Sequence, residues 1–203
     1  MPPIVEKVTA FVVRAVDARR ELLLFRHPDA GIQIPAGTVE DDETPERAVL
    51  REAAEETGLT GLVVNQYLGR AEDRLPEEQR IIAESTTVYS RPDSTRFDWA
   101  RLRKGMYVTV ERRAEGFAQV TYEEFDRVPD PQYVTLRITG WVPEGVLADT
   151  RRRHFFLLEF QGQSADRWTV RSDNHLFTLF WSPLDALPDI VYPQTEWLAF
   201  LKR

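Results

Sequence analysis

The chain has 203 residues and a formal charge of −7, from 26 basic and 33 acidic side chains. That length allows one large domain or a core carrying an insertion, and the 42% apolar and 11% aromatic content excludes wholesale disorder. The absence of cysteine excludes disulfides, thiolate metal sites and thiol nucleophiles, and it fits a reducing cytoplasm.

The charge is unevenly spread. The 23 residues from Gly37 to Leu59 hold eight acids and two bases, whereas elsewhere 25 acids meet 24 bases. The protein is therefore near-neutral with one acidic hot spot. A global acidic tail and a generally basic nucleic-acid-binding surface are both excluded. Near the N-terminus, Glu6 and Lys7 interrupt the sequence, and the apolar run TAFVV is too short for a signal-peptide core. Nothing approaches the length of a membrane span. A cytoplasmic location without membrane association is the expectation.

In chain order, residues 5–15 and 21–26 read as two strands of a hairpin split by Asp17–Arg20. A loop rich in Pro and Gly follows. Thr44 then offers an N-cap and Pro45 the first helical position. The helix runs through Ala, Glu, Arg and Leu to Gly58, a C-cap candidate. Residues 62–68 read as a strand. The stretches TTVYS, MYVTVER, FAQVTY and YVTLRIT are short and β-rich, with Pro, Asp and Gly between them, so 71–150 is read as an insertion. Residues 154–160 and 175–181 read as buried strands. Ser182-Pro183-Leu184 reads as a helix start, and 194–201 as a terminal helix. The expected organisation is a core of 1–70 and 151–203 around an inserted β-rich subdomain.

On the predicted helix, Glu52, Glu55 and Glu56 stand at i, i+3 and i+4 and share one face. Three like charges there need an offset. Oxygen-only clusters suit Mg²⁺ or Mn²⁺, hard cations that also bind phosphate oxygens. Arg51 lies beside that face, within plausible reach of Glu43, and such a pair could pin the preceding loop to the helix. The bland alternative is a solvated face with an Arg51–Glu55 pair. Gly37 and Gly58 bracket the unit, where backbone needs special dihedrals or close approach.

The spacing Gly37, five residues, Glu43, seven residues, then Arg51-Glu52-Ala53-Ala54-Glu55-Glu56-Thr57-Gly58-Leu59 resembles the signature of the Nudix hydrolases. Ala53 departs from the usual bulky aliphatic residue. Pro35-Ala36-Gly37 departs from the usual double glycine and resembles the branch that cleaves nucleoside diphosphate sugars such as ADP-ribose. The resemblance implies an α/β fold, with a mixed sheet sandwiched by helices. It implies metal-dependent hydrolysis of a diphosphate linked to another group, with Mg²⁺ or Mn²⁺ held by Glu52, Glu55, Glu56 and the Gly37 carbonyl. Glu55 and Glu56 would serve catalysis, and Glu43 and Arg51 would be structural partners. The family often adds a distant carboxylate, for which Asp173, just before a strand, and Glu159 are the candidates. The expected partner is a small nucleotide substrate, with a homodimer as the expected assembly. Nucleoside triphosphates, capped RNA and a non-catalytic nucleotide sensor are the alternatives.

His27, His154 and His175 are expected as strand-end histidines, with no metal-ligand spacing between them. Within 84–148, a strand into Pro92-Asp93, a Lys104-Gly105 turn and strand, a Phe117–Val120 strand and Gly140-Trp141-Val142 follow one another. This order is similar to the bacterial Src-homology-3-type small barrel. Residues 91–113 carry seven bases and three acids, a patch for an anionic substrate, a partner subunit or solvent. Phe97, Trp99 and Trp141 could stack on a base or fill a small-barrel core.

Overall fold

The structure, a computed structural model, describes residues 3–17, 19–172 and 175–202. The first stretch holds β1 (Ile4–Val16), β2 (Arg19–His27), β3 (Gly31–Gln33), β4 (Ala36–Thr38), α1 (Pro45–Thr57) and β5 (Leu62–Arg74). The middle holds β6 (Gln79–Ile82), β7 (Thr86–Tyr89), β8 (Asp98–Leu102), β9 (Tyr107–Ala114), β10 (Phe117–Phe125), β11 (Val134–Pro143) and β12 (Leu147–Ala148). The last stretch holds β13 (Thr150–Phe160), β14 (Arg167–Ser172), β15 (His175–Pro183) and α2 (Gln194–Leu201). The chain divides into two compact units, Lys7–Arg70 with Arg153–Arg203, and Met1–Glu6 with Ala71–Arg152.

In the first of these, the strand order is β14-β15-β2-β1-β13-β5, with β3 on β2 and β4 on β1. Side chains alternate across a strand, and the apolar pattern uses both faces. Val8, Ala10 and Val12 of β1, Phe156, Leu158 and Phe160 of β13, and Phe25, Phe177 and Trp181 pack with Ala48, Val49 and Ala53 of α1. The intervening residues Phe11 and Phe155 stack on the other face. There Phe155 also stacks on Phe200 of α2 at 3.9 Å and meets Trp197 edge-on. Burial of both faces explains why these strands read as continuous apolar runs. The expected α/β arrangement, helices on both faces of a sheet, is the one that forms.

The helix start expected at Ser182 does not form. Ser182 and Pro183 instead close β15, opposite Leu22 and Glu21 of β2. A strand end tolerates proline. The Ser182 hydroxyl donates to the Ala186 carbonyl across the turn that follows.

The other unit holds a sheet ordered β12-β6-β9-β10-β11-β7-β8. The β-rich stretches of the sequence become β7, β9, β10 and β11. The β9–β10 turn has positive φ at both Glu115 and Gly116, as a tight hairpin matched to strand twist requires. Ile82, Val88, Leu102, Val108, Ala118, Val120 and Val142 form its core. Trp141 is buried, with the Arg112 guanidinium over its ring at 5.1 Å. Phe97 and Trp99 are exposed, so the core reading of these aromatics holds for Trp141 alone.

Candidate active site on the acidic helix

The helix forms where its end signals place it. Thr44 has extended backbone, and its hydroxyl accepts from the Arg47 amide. Pro45 opens the first turn, and Gly58, at φ 70°, closes the last, its N–H donating to the Ala54 carbonyl. Ala48, Val49, Ala53 and Thr57 are buried. Ala53, where a bulky aliphatic residue is usual, is fully buried in the core beneath the sheet.

Burying that stripe turns Glu52 and Glu56, one helical turn apart, to the strand β4. The Thr38 amide donates to Glu52 Oε1 at 3.0 Å, and the Ala36 amide donates to Glu56 Oε2 at 2.9 Å. Between those amides lies Gly37, where a Cβ would fall on the Glu52 carboxylate. Glycine is needed here for close approach, not for a left-handed backbone.

The pairing of β4 with β1 sets Val8 opposite Gly37, and the Ala10 amide donates to the Pro35 carbonyl. Backbone groups alternate along a strand. The Gly37 carbonyl, expected as a cation ligand, is thereby directed at β1. The carbonyls of Ala36 and Thr38 are the ones on the α1 side, and that of Thr38 accepts from Arg51.

Arg51 organises the cluster. Its Nε and NH2 atoms donate to the two oxygens of Glu43, at 3.0 and 2.9 Å. Its NH1 lies 3.1 Å from Glu52 Oε1 and 3.2 Å from Glu55 Oε2. The hydrogen bonds from Arg51 hold Glu43 below the usual carboxylate range, and Glu43 in turn raises the guanidinium. Burial pushes the Glu52 carboxyl up, with Arg51 opposing. The Glu55 side chain is 56% exposed against 16% for Glu52.

This donor set fits a divalent cation. The three helix carboxylates and the strand carbonyls offer oxygen only, the preference of Mg²⁺ and Mn²⁺. One guanidinium is shared among Glu43, Glu52 and Glu55, so the cluster carries more negative charge than Arg51 offsets. Burial disfavours the charged form of such a carboxylate, and nearby positive charge favours it.

The two distal candidates fare differently. Asp173 lies outside the described residues. Glu159 sits between Leu158 and Phe160, which face α1. Its carboxylate is therefore directed to the opposite face, where Asn65 Nδ2 donates to it at 3.4 Å, and it does not join the cluster.

Some neighbours gave no signal in the sequence. Lys7 is buried, and its Nζ donates to the Thr38 hydroxyl at 2.7 Å. Only the β1–β4 register, which pairs the two residues, reveals it. His154 shares a 3.0 Å hydrogen bond with the Tyr67 hydroxyl. His27 and His175, expected as strand-end histidines with no metal-ligand spacing in the sequence, do stand at strand ends, and they meet with ring centroids 4.5 Å apart.

A model of the NUDIX domain matches residues 5–130. No curated protein matches the chain. Among solved structures, the NUDIX domain of Shewanella oneidensis NrtR, cocrystallised with ADP ribose, aligns with all of this chain and 88% of its own. The identity is 11% and the TM-score 0.47. No helix of the described residues is long and apolar enough to cross a membrane.

Proposed function

Because the chain belongs to the Nudix family of hydrolases, which act on acid anhydrides in phosphorus-containing compounds, we propose that it cleaves a nucleoside diphosphate linked to a second group. The products are a nucleoside monophosphate and a phosphorylated remainder. The observation that carries this reading is the seating of Glu52 and Glu56 on the Thr38 and Ala36 amides, beside an Arg51 already shared with Glu43. The Pro35-Ala36-Gly37 sequence supports an ADP-ribose or nucleotide-sugar type of substrate.

Glu52, Glu55 and Glu56, with the Ala36 carbonyl, would hold Mg²⁺ or Mn²⁺. When bound, such a cation offsets pyrophosphate charge and lowers the pKa of a water. To Glu55, the more exposed carboxylate, we assign acceptance of the proton from the attacking water. Glu52 and Glu56, anchored on backbone amides, keep a fixed orientation and spend no reorganisation during the reaction. Arg51 and Glu43 hold α1 to the loop and to β4. The likeness of residues 84–148 to a bacterial Src-homology-3-type barrel is part of the same proposal. It draws support from the β9–β10 hairpin and from Gly140, whose missing Cβ lets β11 approach Val88 and Tyr89.

The test is turnover of a panel with Mg²⁺ or Mn²⁺, the products being separated by chromatography. ADP-ribose, nucleotide sugars, nucleoside triphosphates and capped RNA make up the panel. Monophosphate release from a diphosphate-linked substrate is expected. Glu55→Gln and Glu56→Gln should each lower kcat by about 10²-fold or more with an unchanged circular-dichroism spectrum. Near-normal rates in both variants would overturn the site, and turnover confined to triphosphates would overturn the substrate class.

A further inference from the structure

We propose that His27, Asp29 and His175 form a second metal site, for a borderline transition-metal ion of the Zn²⁺ type, separate in chemistry from the glutamate cluster. His27 ends β2 and His175 opens β15. The two strands pair antiparallel, with Thr178 opposite Arg26 and Leu179 opposite Phe25. That register, continued, places His27 and His175 diagonally on one face, within reach of each other. Asp29 belongs to the turn that leads from β2 into β3.

The donors converge on Asp29. His27 Nδ1 accepts a hydrogen bond from the Asp29 amide at 3.0 Å, so its lone pair is turned to that residue. His175 Nδ1 lies 3.7 Å from Asp29 Oδ2. One ligand atom from each of the three side chains lies within 4.8 Å of the others. Around a tetrahedral Zn²⁺, with bonds of about 2.0–2.2 Å, donors stand roughly 3.3 Å apart. Closing that difference needs side-chain rotation, for which His175 and Asp29, 43% and 47% exposed, have room, and it exchanges the Asp29 amide on His27 Nδ1 for the metal. A dication is also a stronger partner for the His27 lone pair than an amide.

Two imidazoles and one carboxylate select differently from three carboxylates. Nitrogen donors favour Zn²⁺, Ni²⁺ or Co²⁺, while Mg²⁺ prefers oxygen and keeps its waters. The two clusters should therefore sort metals between them. An ion here would also tie the β2–β3 turn to the start of β15, stabilising the fold by mass action. This inference does not depend on the hydrolase reading.

The test is calorimetric titration of the metal-stripped full chain with Zn²⁺, in millimolar Mg²⁺, alongside Co²⁺ absorption spectra. One Zn²⁺ equivalent is expected, together with the visible bands of nitrogen-ligated Co²⁺ and a Zn²⁺-dependent rise in Tm. His175→Gln and Asp29→Asn, neither at a buried position, should weaken that binding about tenfold or more and abolish the rise in Tm. His27→Gln should do the same, and Glu52→Gln with Glu56→Gln should leave it intact. Unchanged Zn²⁺ affinity in His175→Gln and Asp29→Asn would overturn the proposal. So would loss of the equivalent in the glutamate double variant alone.

Discussion

Arg51 grips Glu43 with two parallel contacts, Nε to Oε1 at 3.0 Å and NH2 to Oε2 at 2.9 Å. The two lie eight positions apart in the chain, and the pair fastens the loop before α1 to the middle of the helix. Bidentate geometry of this kind is open to arginine and closed to lysine. Glu43→Gln and Arg51→Lys should each cost about 1–2 kcal/mol of stability, the lower part of the range for charged hydrogen bonds because Arg51 is partly exposed. The double variant should lose less than the sum of the two single ones, since both break the Arg51–Glu43 contact, while Arg51→Lys also disturbs the Thr38 carbonyl, Glu52 and Glu55. Urea unfolding measures all three. Additive losses would mean that the two residues act independently.

Gly37→Ala probes the close approach of strand and helix. The added methyl would fall on the Glu52 carboxylate, so Glu52 must leave the Thr38 amide. The helix core beneath is untouched, because Ala48, Val49 and Ala53 face the sheet. Divalent-cation affinity and kcat should fall about tenfold or more, while the far-ultraviolet spectrum stays unchanged. Wild-type Mn²⁺ affinity in this variant would show that the seating of Glu52 is immaterial.

How much of this was legible in the sequence depends on the range of the interaction. Helix α1 was readable at both ends because its caps are local, with Thr44 and Gly58 carrying the signal themselves. The carboxylate face followed from helical spacing alone. Strand β13 was readable as an apolar run because both of its faces are covered along His154–Leu158, and β15 because Phe177, Leu179 and Trp181 are buried on one face while Leu176 and Phe180 keep the other face apolar. What failed depended on register. Nothing in the sequence says that Ser182 pairs with Leu22, so Ser-Pro-Leu looked like a helix start. Likewise, only the alternation along β13 turns Glu159 away from α1, and only the β2–β15 pairing brings His27 to His175. The direction of the Gly37 carbonyl was hidden for the same reason, as it depends on which β4 groups the β1 ladder uses.

Tyr122 gives a pH dependence at the alkaline end. Its hydroxyl donates to Glu124 Oε1 at 2.8 Å. Burial first, then Glu124, push the phenol up to about 12, with Arg103 opposing. An unfolded tyrosine loses its proton near pH 10. Between about pH 10 and 12 the folded state therefore holds a proton that the unfolded state lacks. Tyr122 stabilises the fold fully below pH 10, and this contribution is lost as the pH rises through 12. Tyr122→Phe should lose stability less steeply than wild type over that window. Denaturant midpoints at several alkaline pH values measure the slope, and equal slopes would contradict the shift.

Gly140 tests the packing of β11 against β7. Its φ is not in the left-handed region, so an L residue meets no backbone objection there. The objection is space. A Cβ would run into the Val88 side chain and come within 2.9 Å of the Tyr89 carbonyl oxygen. Val88 is fully buried in the core of this sheet and has little room to yield, while a carbonyl oxygen can move only with its strand. Gly140→Ala should therefore cost about 1–3 kcal/mol, the range for overpacking a filled site. The loss should appear first as faster proteolysis within residues 71–152, with Glu43 and Arg51 still protected in hydrogen exchange. A variant as stable as wild type would show that β7 and β11 separate at no cost.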